Sequence, residues 1–477
     1  VARLGRSAKG AGALLVALSL LAAIPAATVS AAVAEPPCVV TDTTADPHVS
    51  FDNLGVAFAA AQTGARLTVR GVCHGYTVIA RDITIVGIKP KRKPLPVLDG
   101  DASGSVITVT PGATVTIERL VITDGSGTPG SGGTYGGAIS NEGTLTLRDV
   151  VVRGNVSADE GAISNEGTLT LAGTTTVSGN VGTSDQSYAG GIANWSGATL
   201  TIGDRSVIRG NTGGYGGGLY NQGTVVLEGE ASIRSNHATE SGGGVYNEFA
   251  GDITLRDSAS IHHNRSDLDA GGIANDFGAT LTLEDSSSIH HNRTPANGGG
   301  VWNHNGGSLT LRGSSSIHHN RAVAGGGVLN AAPSTLTLAG SASVHHNRTL
   351  TWGGGIWNNG SLTLAGSSSV HHNRSDGPAS GIYTYGPTLL SGDASVHDND
   401  SHATRNSGAI EIPGFGQVFT MEDASSVSDN IGGRRGGGIV LWPACGTPAV
   451  LTGAAERTSG NTPGQIVTRM GTGAICD

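Results

Sequence analysis

Short stretches of apolar–polar alternation, each stopped by Gly, Ser or Asn, fill most of this chain. Ser308 to Leu311 reads SLTL, with Leu309 and Leu311 on one side, and Gly298 to Asn303 reads GGGVWN, with Val301 on one side and Trp302 on the other. A period of two is the mark of a strand, because successive Cβ atoms point to opposite faces. The repeated part has no helical spacing of apolar residues, so the pattern predicts strands and turns alone.

The alternation is itself periodic. SSSIHHNR stands at Ser286 to Arg293 and again at Ser314 to Arg321, with close variants ending at Arg265, Arg348 and Arg374. Aligning the asparagine of this phrase gives Asn155, Asn180, Asn211, Asn236, Asn264, Asn292, Asn320, Asn347, Asn373, Asn399, Asn430 and Asn461, with gaps of 25 to 31 residues. Within each gap the GGGVWN-like, SLTL-like and SIHHN-like pieces follow in the same order. A chain that repeats three strands in this way must wind, stacking coils about 4.8 Å apart into three parallel sheets around a narrow core. Twelve units and the strands before them predict a rod on the order of 70 Å long.

Alternation puts Val301, Leu309, Leu311 and, in the SSSIHHNR phrase, Ile289 inside, and Trp302, Ser308 and Thr310 outside. The aligned asparagines are expected at corners, adopting left-handed backbone and stacking their amides from coil to coil. A second column, Asn141, Asn165, Asn194, Asn221, Asn247, Asn275, Asn303, Asn330 and Asn358, is expected to do the same. The glycines ahead of that column let the chain turn close to the next coil. Before the repeats, Asp52 to Gln62 reads as a short amphipathic helix capped by Asp52 or Ser50, covering the open first coil. Strands are predicted at Leu67 to Arg70, Asp82 to Val86, Ser105 to Thr110 and Ala113 to Thr123, with the basic Lys89 to Pro94 as a loop. The expected organisation is a signal peptide (1–34), an N-terminal cap (35–75), first coils (76–135), a repeat region (136–440) and a C-terminal cap (441–477).

The pairing of GGAISN at Gly136 to Asn141 with VRGN at Val152 to Asn155 resembles the repeat of chlamydial polymorphic membrane proteins, in which a GGA phrase alternates with Phe-x-x-Asn. Here Ile or Val replaces Phe, and the likeness covers Gly136 to about Asn461. It implies an all-β, right-handed parallel β-helix of the pectate-lyase-like group, and a surface-exposed passenger involved in adhesion. The translocating barrel of that family has no counterpart here. The wider fold group also contains polysaccharide lyases and hydrolases, whose chemistry needs clustered carboxylates, often with calcium or an adjacent Arg or Lys.

Composition narrows the setting. With 77 Gly and 4% aromatic residues in 477, the chain is not an ordinary helical enzyme. Arg3, Arg6 and Lys9, the apolar run from Ala11 to about Ala27 and the Ala32-Val33-Ala34 site read as a bacterial secretory signal cut after Ala34 or Ala32. Without its three positive charges the formal net charge of −9 becomes about −12, which speaks against a nucleic-acid partner. No segment after the signal has the apolar length of a membrane-spanning helix. In an exported chain, Cys38 with Cys73 and Cys445 with Cys476 are expected as local disulfides, one at each end.

Columns repeated from coil to coil are the candidate sites. Tyr220, Tyr246, Trp302, Trp357 and Tyr383 share the outward position of the GGGVWN strand, and flat rings one or two coils apart suit stacking on sugars of a polysaccharide or cell-surface glycan. His262, His290, His318, His345 and His371 form a histidine column continued by His397, and His263, His291, His319, His346 and His372 form another. Neighbours on a strand diverge, so one pair is a poor chelator, whereas His290, His318 and His345 on successive coils are the metal candidates; stacked, hydrated surface and an anion strip with the adjacent arginines are the alternatives. Thr144 with Thr146, Thr168 with Thr170, Thr199 with Thr201, Thr280 with Thr282 and Thr335 with Thr337 make an array that resembles the ice-contacting face of some antifreeze solenoids. Where the repeat degrades, Asp398, Asp400, Arg405 and Glu411 are the catalytic candidates, with calcium as the only cofactor such a reading brings. No nucleophile-elbow, zincin or nucleotide-binding phrase stands in a supporting context. The sequence therefore reads first as a secreted or surface-displayed glycan binder, second as a polysaccharide lyase or hydrolase, and third as an ice-binding protein.

Overall fold

The computed structural model describes residues 35–127, 136–402, 407–414, 416–433, 436–442, 450–453, 457–462 and 464–468. The expected signal peptide, Arg405 and the Cys445 and Cys476 pair lie outside them. Among the described residues no helix is long and apolar enough to cross a membrane.

From Ala65 onward the described residues wind as a parallel β-solenoid, preceded by two short antiparallel strands and a helix. Strands such as Val301–Asn303 build a 15-stranded sheet, called here the aromatic sheet; Ser308–Leu311 and its equivalents build a 17-stranded threonine sheet; Ser316–His318 and its equivalents build a 15-stranded histidine sheet. Successive coils pair in register, Val301 with Val328, Leu309 with Leu336, Ile317 with Val344. Fifteen strands about 4.8 Å apart give a rod of about 70 Å. Val301, Leu309, Leu311 and Ile317 are wholly buried in one continuous core, as the alternation requires. A two-residue step after each corner asparagine, such as Arg265–Ser266, adds a narrow fourth ladder that is too short to show as alternation.

Both asparagine columns are buried amide ladders. In the first, Nδ2 of each residue from Asn155 to Asn430 donates to Oδ1 of the next at 2.9–3.1 Å. The same Oδ1 also accepts the backbone N–H of the preceding asparagine, as Asn292 does from Asn264 at 2.9 Å. The second ladder runs from Asn141 to Asn358 at 2.7–2.8 Å and ends on the Thr384 hydroxyl at 3.0 Å. These asparagines are not themselves left-handed. The residue before each one in the first column takes that conformation: Gly154, Gly179, Gly210 and Ser235 in early coils, His263, His291, His319, His346 and His372 later, then Asp398, Asp429 and Gly460. The left-handed step turns the asparagine side chain inward, where both its polar ends are used.

Gly300 shows why the GGG phrase tolerates no side chain, since a Cβ there would stand 2.6 Å from the Gly327 carbonyl oxygen of the next coil. The first coil is covered by the helix Leu54–Ala60, which buries Leu54, Ala57 and Phe58. Its cap is Asn53, whose side chain accepts from the Val56 N–H at 3.1 Å, rather than Asp52 or Ser50. Ser50 is committed to the strand Val49–Phe51, paired antiparallel with Val39–Asp42. The predicted strand from Ala113 to Thr123 is two, Thr114–Glu118 and Val121–Thr123, divided by a left-handed corner at Arg119. Cys38 and Cys73 form the disulfide that ties the N-terminal segment to the first coils.

Replacing Asn292 by Ala removes an acceptor and a donor from a wholly buried ladder. It leaves the Asn264 N–H and the Ile261 carbonyl without their partners. The expected loss is about 3 kcal/mol of unfolding free energy in urea titration, whereas Ser286→Ala on the exposed surface should stay within about 0.5 kcal/mol.

Candidate functional site

The outer face of the aromatic sheet gathers chemistry that single-column reading misses. Its outward column runs Ala193, Tyr220, Tyr246, Ala274, Trp302, Leu329, Trp357, Tyr383, Glu411 and Val440. Beside it, the residues after Asn194, Asn221, Asn247, Asn275, Asn303 and Asn358 add Trp195, Gln222, Glu248, Asp276, His304 and Asn359, and Tyr385 follows Thr384, which takes the next place in that column. Tyr188, Tyr215 and Trp352, from the turns ahead of the strands, fold over the same face. All five tryptophans of the chain meet this surface: Trp195 against Tyr220, Trp352 against Trp357, Trp302 on the column and Trp442 bonded to Glu411.

The expected stripe of bare rings is corrected by this cover. Tyr220, Tyr246 and Tyr383 are 1%, 8% and 7% exposed, because neighbouring rings close over them, and only Trp302 and Trp357 of the five remain partly open. The accessible aromatic surface comes instead from Trp352, Tyr188 and Tyr385, together with those two tryptophans.

Two buried carboxylates lie under this cover on adjacent coils. The Tyr220 hydroxyl donates to Glu248 Oε1, and Gln222 Nε2 donates to the same oxygen at 3.4 Å. The Tyr246 hydroxyl donates to Asp276 Oδ2 at 3.1 Å. His304 Nδ1 stands 3.4 Å from Asp276 Oδ1, and its ring stacks on Trp302 at 4.6 Å. Burial, with Asp276 adding to it, pushes the Glu248 carboxyl above its ordinary value, and burial also raises both tyrosines. The phenols therefore stay donors at neutral pH. Glu248 and Asp276 escaped the sequence reading because they occupy a turn column whose identity changes from coil to coil; the signal was there in the position after each asparagine.

Of the catalytic candidates from the degraded repeat, the described Asp398, Asp400 and Glu411 are not brought together around one solvent-open space. Glu411 is wholly buried on the aromatic sheet, where it accepts from the Ala379 N–H and from Trp442 Nε1 at 2.9 Å. Asp398 and Asp400 belong to the corner after the histidine sheet, paired with His397 at 2.8 Å and His402 at 2.7 Å. Their columns continue those of the left-handed histidines and of the arginines, so repetition survives there.

The histidine columns also differ from expectation. Because His263, His291, His319, His346 and His372 have φ between 51° and 56°, each swings to the side of its neighbour instead of diverging. The two Nδ1 atoms of each pair approach to 2.8–2.9 Å. Along each column the rings stack at 4.7–5.0 Å, tilted by 8° or less. Burial first, and then the neighbouring rings, lower His290 and His371 to about 3; burial leads likewise in lowering His262, His318 and His345 to about 4.

Next to them Arg265, Arg293, Arg321, Arg348 and Arg374 form an exposed row, the first three of them lining a groove of about 340 Å³. The glycosylation sequons at Asn264, Asn292, Asn347 and Asn373 are closed, since their amides are the buried rungs. The threonine array stacks in register but is interrupted by Asp252 and Val226.

No family model, no curated protein and no solved structure matches this chain. The likeness to the chlamydial repeat and to pectate lyases therefore rests on the short phrases alone, while the solenoid stands on the coordinates.

Acid should loosen the histidine sheet. Folded pKa values near 3 to 4 lie below the unfolded value of about 6.5, so the unfolded chain binds more protons below pH 6.5. The stability these rings lend is complete above that pH and is lost as pH falls toward 3. Arg234 and the neighbouring imidazoles of His291, His319 and His346 disfavour the charged form of the inner rings and reinforce the loss, while the Asp398 carboxylate stands beside His397, beyond the last pair. The thermal midpoint should drop between pH 7 and 4.5, and a His290→Gln/His318→Gln variant should drop less over the same interval.

Proposed function

We propose that this protein is an exported rod that binds a repetitive glycan, a polysaccharide or a cell-surface chain, along the outer face of its aromatic sheet. The observation that carries the reading is the gathering of all five tryptophans on one face of a solenoid, with Trp302, Trp352 and Trp357 open to solvent. Rings of this kind present flat apolar surface to sugar faces, and the half-buried Gln222 and Asn359 amides beside them supply hydrogen-bonding groups for sugar hydroxyls. Trp302 and Trp357 lie two coils apart, about 10 Å, on the order of two sugar rings. Parallel register makes the face periodic, which suits a periodic ligand. Export is supported by the N-terminal sequence pattern and by the Cys38–Cys73 disulfide, a bond that persists in oxidising compartments.

A second reading, hydrolysis or elimination on the same glycan, is favoured by Glu248. Burial raises its carboxyl above the ordinary value, the direction a general acid needs.

The test is depletion of the protein from solution by a panel of insoluble polysaccharides, with sugar release measured in the supernatant. At least one polysaccharide should retain the protein. A Trp302→Ala/Trp357→Ala variant should lose at least tenfold in affinity, with no sugar released. Sugar release abolished by Glu248→Gln would replace binding with the second reading, and no retention by any polysaccharide would overturn both.

A further inference from the structure

The histidine pairs are independent of the aromatic face, and their geometry raises a different possibility. Five times in succession two imidazole Nδ1 atoms stand 2.8–2.9 Å apart, with their rings 79° to 84° from coplanar. Metal-free, one Nδ1–H donates to the other nitrogen. Nothing about winding a coil demands this, since glycine fills the left-handed position in Gly154, Gly179 and Gly210.

The spacing has a chemical meaning. Two imidazole nitrogens bound at right angles to one ion, with bonds of about 2.0 Å, lie about 2.8 Å apart, whereas tetrahedral coordination separates them by about 3.3 Å. We infer that the His-His pairs form a row of cis-diimidazole chelates for tetragonal late transition metals, Cu(II) foremost and Ni(II) after it. Irving–Williams order and the preference of these ions for square geometry point the same way. The second ring of each pair is exposed, so water completes the coordination.

On binding, the Nδ1–H proton of the donating ring moves through solvent to the Nε2 of that same ring, and each ring turns so that its lone pair meets the ion off the N–N line. Both imidazoles stay neutral, and no net proton is released. The unit is one coil rather than two. The ligand atoms of His262, His263 and His290 lie within 4.8 Å of one another, a limit wider than the about 4.0 Å that separates opposite ligands of a single ion. Ions on adjacent coils would stand one coil spacing apart and repel. Alternate pairs, those of His262, His318 and His371, therefore fill first.

Calorimetric titration of the full chain with CuCl2 in a non-coordinating buffer at pH 7.4 tests the inference. Three equivalents are expected to bind first and up to two more weakly. Electron paramagnetic resonance of the tight ions should show a tetragonal signal split by two nitrogens, and NiCl2 and ZnCl2 should bind at least tenfold more weakly in that order. Changing His263, His291, His319, His346 and His372 together to Gly, the residue early coils already use there, should abolish binding with the circular dichroism of the fold retained. Should that variant fail to fold, His291→Gly alone should reduce the total by one equivalent. Less than one equivalent bound by the wild type, an unchanged total in His291→Gly, or a signal split by a single nitrogen would overturn the inference.

Discussion

Everything in this molecule depends on one coil lying in register on the next. The hydrogen bonds of parallel sheets set the spacing, and the two buried asparagine ladders remove the freedom to slip. An amide at a corner has two donors and two lone pairs, all taken out of water. The same amide one coil away, in the same place, takes one of these bonds, and backbone groups held in register take others. A shift of one residue would orphan a whole column at once, so the ladders act as a register lock as well as a source of stability.

That lock converts a sequence repeat into surface geometry. A residue type repeated at one position becomes a straight row, as the stacked imidazoles and the arginine groove show. It also explains why variation is informative. On the aromatic sheet the outward column changes from Tyr to Ala to Trp to Leu, while the core column beside it keeps Ile, Val or Leu. The core needs shape repetition, and the outer face is free to be written differently in every coil. The glycan reading and the metal inference each rest on one of these rows, and they stand or fall separately.

The winding, the core residues and both asparagine columns were legible because each follows from a period of two inside a period of about 28, and the N-terminal helix was legible from its own amphipathic, capped stretch ahead of the repeats. Three things were not. The exposure of Tyr220, Tyr246 and Tyr383 depended on Tyr188, Tyr215 and Trp352, which arrive from turns with no fixed spacing. The Glu248 and Asp276 pair was hidden because nearness across coils is a gap of 28 residues along the chain. Glu411 read as a catalytic acid by its company in sequence, but it stands on the aromatic sheet while Asp398 stands at the corner after the histidine sheet.

The sequence by itself determined that this chain winds, which side chains fill its core and which stand in columns, since alternation and repetition are local properties of a strand and of a copied unit. Tertiary structure decided which outward residues meet solvent and which way the second histidine of each pair points. The first depends on turns folding back over the sheet. The second depends on one backbone angle, positive before each corner asparagine, which brings together two rings that a straight strand would hold apart.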